Sequence, residues 1–331
     1  MSPELPLPSR SIGSTAFYTV TDSRHFLGAV GLLNSLRLVG HDEPLVVLDC
    51  GITARQRALL EPHATIVAAP DSTPPTMLKT YAPLSRPADV MVLLDADVIV
   101  TNRLDAAIEP AAGGKLVAFG NDNGERFFPE WGERLGLGAP QRRPYVAAGH
   151  LFVPRELRWV LERFAAYQAE IDVRETGLGG AVPDDPFFFA DMDVLNAMLS
   201  TVVAPELFAA FPYSVAPHPP FSGVRIVDAR TLRCAYPDGD EPLVLHHTLR
   251  KPWLARTPRN VYSLLLGRLL TGEDVTLRIE PADVPLRLRE GRAAALDRVR
   301  SDVQAYLHVR LRGRLGIRPR IQTWLAARGS A

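Results

Sequence analysis

The stretch Val90-Met-Val-Leu-Leu-Asp-Ala-Asp97 decides the fold class. An apolar run without polar alternation is typical of a strand that is buried on both faces of a parallel sheet. The run ends in two aspartates that are separated by one residue. Because ligands of open α/β sheets lie at the carboxyl ends of the strands, Asp95 and Asp97 mark the edge at which we expect the functional site.

The chain that precedes this stretch alternates strands with helices. Apolar runs at 16–20, 45–48 and 65–68 predict strands, and helical patterns lie between them at 26–36 and 54–60. A short helix is also predicted at 77–84. Strands that alternate with helices over short connections are typical of parallel α/β units. The sequence therefore predicts an α/β fold.

Composition limits the class of protein. The chain has 331 residues, of which 47% are hydrophobic and 22% charged, as in globular proteins with a large core. Lys and Arg together number 37, as do Asp and Glu, so nucleic acid is not an expected partner. Cys50 and Cys234 are too few for a disulfide framework, and we expect two buried thiols in a cytoplasmic protein. We expect neither a membrane span nor a signal peptide.

A third candidate ligand follows a later strand. Strands are also predicted at 116–119, 145–153 and 242–245, and the last of these runs directly into His246. Two carboxylates and an imidazole suit Mn²⁺ or Mg²⁺, and diphosphate oxygens would complete the coordination. The sequence thus predicts a metal site of Asp95, Asp97 and His246. The alternative is that these residues are solvated or structural groups at strand ends.

Lysine is rare in this chain. Only Lys79, Lys115 and Lys251 are lysines among the 37 basic residues. Lysine offers a compact ammonium where arginine offers a planar fork. Lys251 is followed by proline, which stiffens the turn, and by Trp253, which can pack beside it. An ammonium near a diphosphate would stabilise charge on a leaving nucleotide, which makes Lys251 a candidate catalytic residue.

These segments, in this order, resemble glycosyltransferase family 8, retaining enzymes that include glycogenin and bacterial lipopolysaccharide galactosyltransferases. The resemblance covers about residues 15–256. The matching segments are Thr19-Val-Thr21-Asp22 with Phe26 or His25 as the aromatic beside uracil, Lys79, Asp95-Ala96-Asp97, Tyr145-Val-Ala-Ala148-Gly149, Ala190-Asp191-Met-Asp193-Val-Leu-Asn196, and His246 to Trp253.

The resemblance implies a GT-A fold, in which a mixed, mainly parallel sheet is flanked by helices. It implies transfer of a hexose from a UDP-linked sugar to a hydroxyl of a saccharide, lipid-linked glycan or small molecule, with Mn²⁺ or Mg²⁺ bound. In the implied mechanism, the leaving diphosphate deprotonates the acceptor within a short-lived oxocarbenium ion pair. The residues implied in donor binding are Thr21, Asp22, Phe26, Lys79, Ala96, Ala148, Gly149 and Lys251, and those implied in catalysis are Asp191, Asp193 and Lys251.

The sequence departs from the family pattern in three places. One is the link between His246 and Lys251, which is shorter and lacks the family's glycine. Ala147 stands where the family has asparagine, and Met192 stands where it has a glutamine beneath the anomeric carbon. A thioether cannot hydrogen-bond as strongly as an amide. The ion-pair mechanism needs no protein nucleophile, so it tolerates Met192. Asp191 either acts on the sugar or caps the helix that begins beside it.

Two other functions fit parts of the sequence. A phosphohydrolase of the haloacid dehalogenase type also has a buried strand that ends in Asp-x-Asp, and Asp184-Asp185 could be its late acidic pair. That function leaves the segment from His246 to Trp253 without a role. A non-catalytic protein that binds nucleotide sugars would explain Ala147 and Met192.

We expect three parts along the chain: a lead-in at 1–14, a catalytic domain at 15–260 and a helical, arginine-rich extension at 261–331. From residue 285 onward, 11 arginines face three acidic residues, a net charge of +8. Arginines interleaved with apolar residues predict a helix on the catalytic domain, a contact with anionic lipid at the inner membrane face, or a site for an anionic acceptor.

Overall fold

The computed structural model describes residues 14–289, except 71, 72, 123, 249, 256 and 258, together with 299 and 303. Within these residues the strands are β1 (Thr15–Thr21), β2 (Leu45–Asp49), β3 (Thr65–Ala68), β4 (Val90–Leu94), β5 (Val98–Val100), β6 (Leu116–Gly120), β7 (Val146–Pro154), β8 (Phe208–Phe211), β9 (Arg225–Asp228), β10 (Arg233–Ala235) and β11 (Val244–His246). The α-helices are α1 (Phe26–Leu38), α2 (Ala54–Leu60), α3 (Tyr81–Ser85), α4 (Asp105–Ala112), α5 (Glu130–Arg134), α6 (Arg158–Glu170), α7 (Met192–Thr201) and α8 (Val261–Thr271).

The main sheet has seven strands in the order β3-β2-β1-β4-β7-β6-β8. The strands from β3 to β4 are parallel, and β6 is parallel to β8. Only β7 is reversed within this sheet, because it pairs antiparallel with both β4 and β6. The predicted fold class is therefore confirmed: the sheet is mixed and mainly parallel.

The central strand β4 is buried on both faces, as the sequence predicts. Val90, Val92 and Leu94 pack into one apolar cluster together with residues of α1, α4 and α8. Met91 and Leu93 pack into a second cluster with residues of α3, α6 and α7. Helices thus cover both faces, and the carboxyl ends of the strands form the edge that remains open to ligands.

The helix α1 packs unusually close to the end of β4. A Cβ at Gly28 would lie 2.5 Å from the carbonyl oxygen of Ala96 and 2.7 Å from the Trp253 ring. The absence of a side chain at Gly28 therefore brings α1, the Asp-x-Asp turn and Trp253 together. Trp253 is buried, as expected, and its indole donates to the carbonyl of Arg24 at 2.7 Å.

A two-stranded antiparallel ribbon of β5 and β11 continues from the Asp-x-Asp turn. His246 pairs with Val98 in this ribbon. The amide of His247 donates to the carbonyl of Asp97 at 3.0 Å. His246 is the last residue of β11 rather than the first residue after it. Chain segments almost 150 residues apart in sequence are thereby brought next to each other.

Some local expectations require correction. The helix expected at 77–84 is instead a 3₁₀ turn at Pro75–Met77 followed by α3. Lys79 lies in the break between them, where two carboxylates hold its ammonium. Cys234 is buried and Cys50 is partly exposed, so the expectation of two buried thiols holds for Cys234 alone.

The segment predicted as a C-terminal extension is described in part. Helix α8 begins at a capping box, in which Asn260 and Ser263 exchange side-chain to backbone hydrogen bonds. Its buried leucines lie in the same apolar cluster as α1. Most of the arginine-rich segment, and most of the lead-in, lie outside the described residues. None of the helices in the described part of the chain combines the length and hydropathy that a membrane crossing requires.

Candidate functional site

Three strand ends meet beside the Asp-x-Asp turn. The turn follows β4, and its Asp95 amide donates to the carbonyl of Gly149 on β7 at 3.0 Å. The ribbon of β5 and β11 brings His246 to the same place. Asp95, Asp97 and His246 each offer a ligand atom, and these atoms lie within 4.8 Å of one another. The structure therefore brings together the three residues predicted to bind metal.

The oxygen and nitrogen atoms of this group are arranged as metal ligands. Nε2 of His246 lies 3.1 Å from Oδ1 of Asp97 and 3.7 Å from Oδ2 of Asp95. Oδ1 of Asp97 is buried and has no hydrogen-bond partner in the described part of the chain. A buried carboxylate oxygen without a donor is costly, and a divalent cation would satisfy it. The residues therefore fit the metal that the resemblance to family 8 implies.

Lys251 contacts the metal group directly. Its ammonium donates to Oδ2 of Asp97 and, at 2.5 Å, to the carbonyl of His247. Burial opposes the charge of Asp97, but Lys251 and then His246 outweigh it and hold the pKa of that carboxyl well below its usual range. Asp97 is thus an ionised carboxylate at neutral pH, which is the form that binds a cation.

Lys79 links Asp95 to Asp191. Its ammonium lies 2.8 Å from Oδ1 of Asp95 and 2.5 Å from Oδ2 of Asp191. Burial opposes the lysine charge, but Asp191 and Asp95 outweigh it and raise the pKa of Lys79. A fixed positive charge therefore lies between the predicted metal site and the predicted reaction centre.

Asp191 and Asp193, which the sequence assigns to one role, have different environments. Asp191 lies at the start of α7, where Oδ1 accepts from the amide of Met192 at 2.8 Å and Oδ2 accepts from Lys79. It therefore caps the helix and also faces the site, so the two interpretations of Asp191 are compatible. Asp193 points to the other side of α7 and is fully buried.

Four donors occupy the carboxylate of Asp193. Arg126 donates from Nε at 2.6 Å and from Nη2 at 2.8 Å, and the Tyr145 hydroxyl and Phe189 amide donate at 2.8 Å. Burial raises the pKa of Asp193, against the influence of Arg126. A carboxylate that is buried and saturated has no free oxygen for a sugar, so we correct the catalytic prediction for Asp193 to a structural one. The partner Arg126 was not found from sequence, because nothing near it suggests a buried ion pair.

The end of β1 holds the predicted uridine-binding residues. Thr21 is buried, and Asp22 accepts from the amides of Arg24 and His25 and from the His25 ring. Burial opposes ionisation of Asp22, but its contacts with His25 outweigh it and lower the pKa of the carboxyl. Phe26 is buried in the apolar core, so the prediction that it stacks on a base is corrected. His25 remains the aromatic candidate, since its side chain is 35% exposed.

A small cleft opens between β1, β4 and β7. Its lining includes Thr19, Lys79, Asp95 and Ala148. Gly149 continues this wall, and a Cβ there would lie 2.6 Å from Cε1 of His246 and 3.0 Å from Oδ2 of Asp95. The two metal candidates can therefore approach each other only because residue 149 has no side chain.

An amide that sequence reasoning missed lies beside Met192. Nδ2 of Asn121, just after β6, is 3.7 Å from the sulfur of Met192. The segment 121–144 carries no motif, and only the sheet places Asn121 next to α7. Asp184 and Asp185 belong to neither group of possible metal ligands found in the described residues.

The fold is that of glycosyltransferases of known structure. The galactosyltransferase LgtC, solved in complex with donor and acceptor sugar analogues, is 18% identical over 78% of this chain and 98% of its own, with a TM-score of 0.50. The glycosyltransferase GlyE of Streptococcus pneumoniae TIGR4 is 16% identical over 77% of this chain and 60% of its own, with a TM-score of 0.50. No protein-family model matches the sequence, and no curated protein matches it.

These structural neighbours confirm the resemblance at the level of the fold. LgtC and GlyE are glycosyltransferases similar to family 8, and the likeness covers most of this chain. The chain therefore has the GT-A fold that the resemblance implies. At such low identity the shared fold does not assign the donor or the acceptor.

Proposed function

We propose that this chain is a metal-dependent, retaining glycosyltransferase of the family 8 type. It transfers a hexose from a UDP-linked sugar to a hydroxyl of a saccharide, lipid-linked glycan or small molecule. The observation that supports this most directly is the meeting of Asp95, Asp97 and His246 at the carboxyl end of β4, within 4.8 Å of one another. Metal ligands at this edge of a GT-A sheet suit a nucleotide diphosphate.

In this proposal Asp95, Asp97 and His246 hold Mn²⁺ or Mg²⁺. The cation would neutralise charge on the donor diphosphate. Thr21, Asp22 and His25, at the end of β1, bind the nucleoside. Ala96, Ala148 and Gly149 keep the backbone close to the donor, because their small side chains leave room along the cleft.

Two lysines supply fixed positive charge. Lys79 is buried between Asp95 and Asp191, and Lys251 is buried against Asp97. Each ammonium lies near the place where a diphosphate would bind. They stabilise the negative charge that grows on the leaving UDP, which an ammonium in a dry site does more strongly than water.

The reaction needs no protein nucleophile. The bond between the anomeric carbon and the donor oxygen breaks, and the acceptor oxygen attacks from the same face of the sugar. The acceptor proton passes to the leaving diphosphate. Asp191, with 18% of its side chain exposed, is the carboxylate that can orient the sugar or stabilise its positive charge.

Calorimetric titration of UDP, with Mn²⁺ and then with EDTA, tests the donor site. We expect binding only with Mn²⁺, and we expect Asp97→Ala to weaken it about tenfold or more, which is about 1.4 kcal/mol or more. Asp274→Ala is the control, because Asp274 is an exposed partner of Arg268. Equal Mn²⁺-dependent affinity in Asp97→Ala and wild type would refute the metal site.

Activity assays distinguish the transferase from a non-catalytic binding protein and from a phosphohydrolase. Hydrolysis or transfer of a UDP-hexose supports the transferase. Binding of UDP-sugars without turnover, also in the presence of a panel of acceptors, would indicate a non-catalytic binding protein. Hydrolysis of an aryl phosphate that Asp95→Asn abolishes would indicate the phosphohydrolase.

A further inference from the structure

Three buried histidines form a group beside the carboxylate site, which we call the histidine cluster: His150, His218 and His246. His150 lies on β7, His218 in the loop before β9, and His246 at the end of β11. Each has at most 5% of its surface exposed. Each offers a ligand nitrogen, and these nitrogens lie within 4.8 Å of one another. The proposed transferase function uses only His246.

The backbone holds the cluster in place. His150 lies opposite Leu94 in the ladder of β7 with β4. The amide of His246 donates to the carbonyl of Pro217 at 3.2 Å, and the amide of His218 donates to the Tyr213 hydroxyl at 2.9 Å. The three rings therefore sit on fixed backbone, as the ligands of a built site do.

Four of the six ring nitrogens of the cluster lack a hydrogen-bond partner in the described part of the chain. Both nitrogens of His150, Nε2 of His218 and Nδ1 of His246 are buried without a hydrogen bond within the described residues. Each such buried polar atom costs about 1–3 kcal/mol. The ring of His150 stacks on Phe119 with 5.5 Å between the ring centroids. Such aromatic packing supplies no hydrogen bond, so the free-energy cost of the unpaired nitrogens remains. A metal ion would satisfy one nitrogen of each ring.

The other nitrogens of two rings face carboxylates. Nδ1 of His218 lies 3.8 Å from Asp122, and Nε2 of His246 lies 3.1 Å from Asp97. A carboxylate behind a metal-bound imidazole orients the ring, and Asp122 is placed to do so for His218. His246 is shared by the two sites: its Nε2 faces the carboxylate site and its Nδ1 is the nitrogen left for the cluster. With both ions bound, this ring is an imidazolate that has released its remaining proton.

We propose that the histidine cluster is a second metal site, which binds a nitrogen-preferring transition ion, with Zn²⁺ as the expected occupant. The ligands are Nδ1 of His246, Nε2 of His218 and one nitrogen of His150. Three imidazoles are a ligand set for zinc, whereas the two carboxylates nearby suit Mn²⁺ or Mg²⁺. Three protein ligands leave one position for water. The ion ties the loop of His218 to β7 and β11.

Zinc content tests the site without reference to sugar transfer. The full chain, purified without a metal-affinity tag and dialysed against EDTA, is loaded with Zn²⁺, passed through a desalting column and analysed for bound metal. We expect wild type to retain one equivalent and His150→Leu to retain none. His63→Leu is the control, because His63 is a partly exposed histidine outside the cluster. Equal zinc in wild type and His150→Leu overturns the proposal.

Asp95→Asn separates the two metal sites. This variant keeps every ligand of the histidine cluster, so we expect it to retain zinc. Loss of zinc in Asp95→Asn would place the ion at the carboxylates and overturn the proposal. If the chain binds zinc but not UDP, the histidine cluster is supported and the donor site is rejected. If it binds UDP with Mn²⁺ but retains no zinc, the donor site is supported and the histidine cluster is rejected.

Co²⁺ provides a spectroscopic readout. Bound at the cluster in place of zinc, Co²⁺ in a four-coordinate site gives intense visible absorption, which we expect His218→Leu and His150→Gln to abolish. Circular dichroism verifies that each variant is folded. His150→Gln is the second variant, since glutamine keeps a polar group if leucine disturbs the fold. Visible bands of equal strength in the variants and in wild type would rule out the cluster as the ligand set.

Discussion

The ammonium of Lys251 donates to Oδ2 of Asp97, which leaves Oδ1 of the same carboxylate facing His246. One aspartate therefore joins the residue expected to stabilise the leaving group to the residues expected to bind the cation. Oδ2 accepts from Lys251, and Oδ1 faces the proposed metal site. We therefore expect a substitution at Lys251 to alter metal binding.

Replacing Lys251 with glutamine should affect turnover and metal binding in opposite directions. Loss of the ammonium removes charge stabilisation of the leaving UDP, so we expect kcat to fall about 10²- to 10³-fold with a smaller change in donor affinity. It also removes a positive charge beside Asp97, so Mn²⁺ should bind more tightly in the absence of donor. Steady-state kinetics and Mn²⁺ titration check both. Unchanged kcat would exclude Lys251 from the reaction.

Asp191→Asn and Asp193→Asn should give different defects. Asp191 faces the site, so Asp191→Asn should lower kcat about 10- to 100-fold. The loss of stability should be smaller than in Asp193→Asn, because Lys79 keeps Asp95 as a partner and asparagine still caps a helix. Asp193 is fully buried and pairs with Arg126, whose side chain is 10% exposed, so Asp193→Asn should lower the free energy of unfolding by about 3–5 kcal/mol. Chemical denaturation and kinetics on both variants check this. A stable but inactive Asp193→Asn would restore the catalytic role that we have withdrawn.

Gly149→Ala should disrupt the metal site. The new methyl group would lie 2.6 Å from His246 and 3.0 Å from Asp95, and it would push the two ligands apart. We expect Mn²⁺-dependent UDP binding to weaken about tenfold or more, about 1.4 kcal/mol or more. Gly138→Ala is the matched control, because no described atom lies within 4 Å of a Cβ there. Calorimetry that finds the two variants alike would contradict the close approach at Gly149.

Stability should decrease as the pH falls from about 6.5 to about 4. Burial, and then the charge of Lys251, lower the pKa of His247 from 6.5 to about 4. In this range the unfolded chain binds a proton that the folded chain excludes, so His247 alone contributes a slope of about 1.4 kcal/mol per pH unit. Burial lowers the pKa of His150 and His218 as well, which acts in the same direction.

The variant His247→Gln isolates this contribution. Glutamine does not titrate, so the free energy of unfolding of this variant should depend less steeply on pH than that of wild type. The difference in slope should be at most that of one proton, about 1.4 kcal/mol per pH unit. Denaturant titrations at a series of pH values between 4 and 7, a range set by the pKa of about 4 and the ordinary value of 6.5, measure both slopes. Identical slopes would show that His247 does not stay neutral in the folded chain.

Much of the site could be predicted from local sequence. The run from Val90 to Leu94 predicts a buried strand because apolar residues on both faces need cover on both faces. Position at the end of that strand then predicts that Asp95 and Asp97 face a ligand. His246 follows another apolar run and could be assigned in the same way.

Assignments that depend on the direction of a side chain could not be made in this way. Phe26 and His25 are neighbours, yet one is in the core and the other is partly exposed. Asp191 and Asp193 lie two residues apart at the start of α7, which turns them to different sides. Their roles depend on Lys79 and Arg126, each of which lies more than 60 residues away along the chain.

The sequence by itself determined the α/β class, the order of the first strands and helices and the carboxylates at the end of β4, because apolar periodicity and strand-end position are local properties. The tertiary structure alone decided which of these groups form ion pairs and which lie close enough together to bind one metal ion. The contact of Lys251 with Asp97, the buried pair of Arg126 and Asp193, and the histidine cluster all join segments that are distant along the chain. Such contacts depend on which strands become neighbours in the sheet, and local patterns do not contain that information.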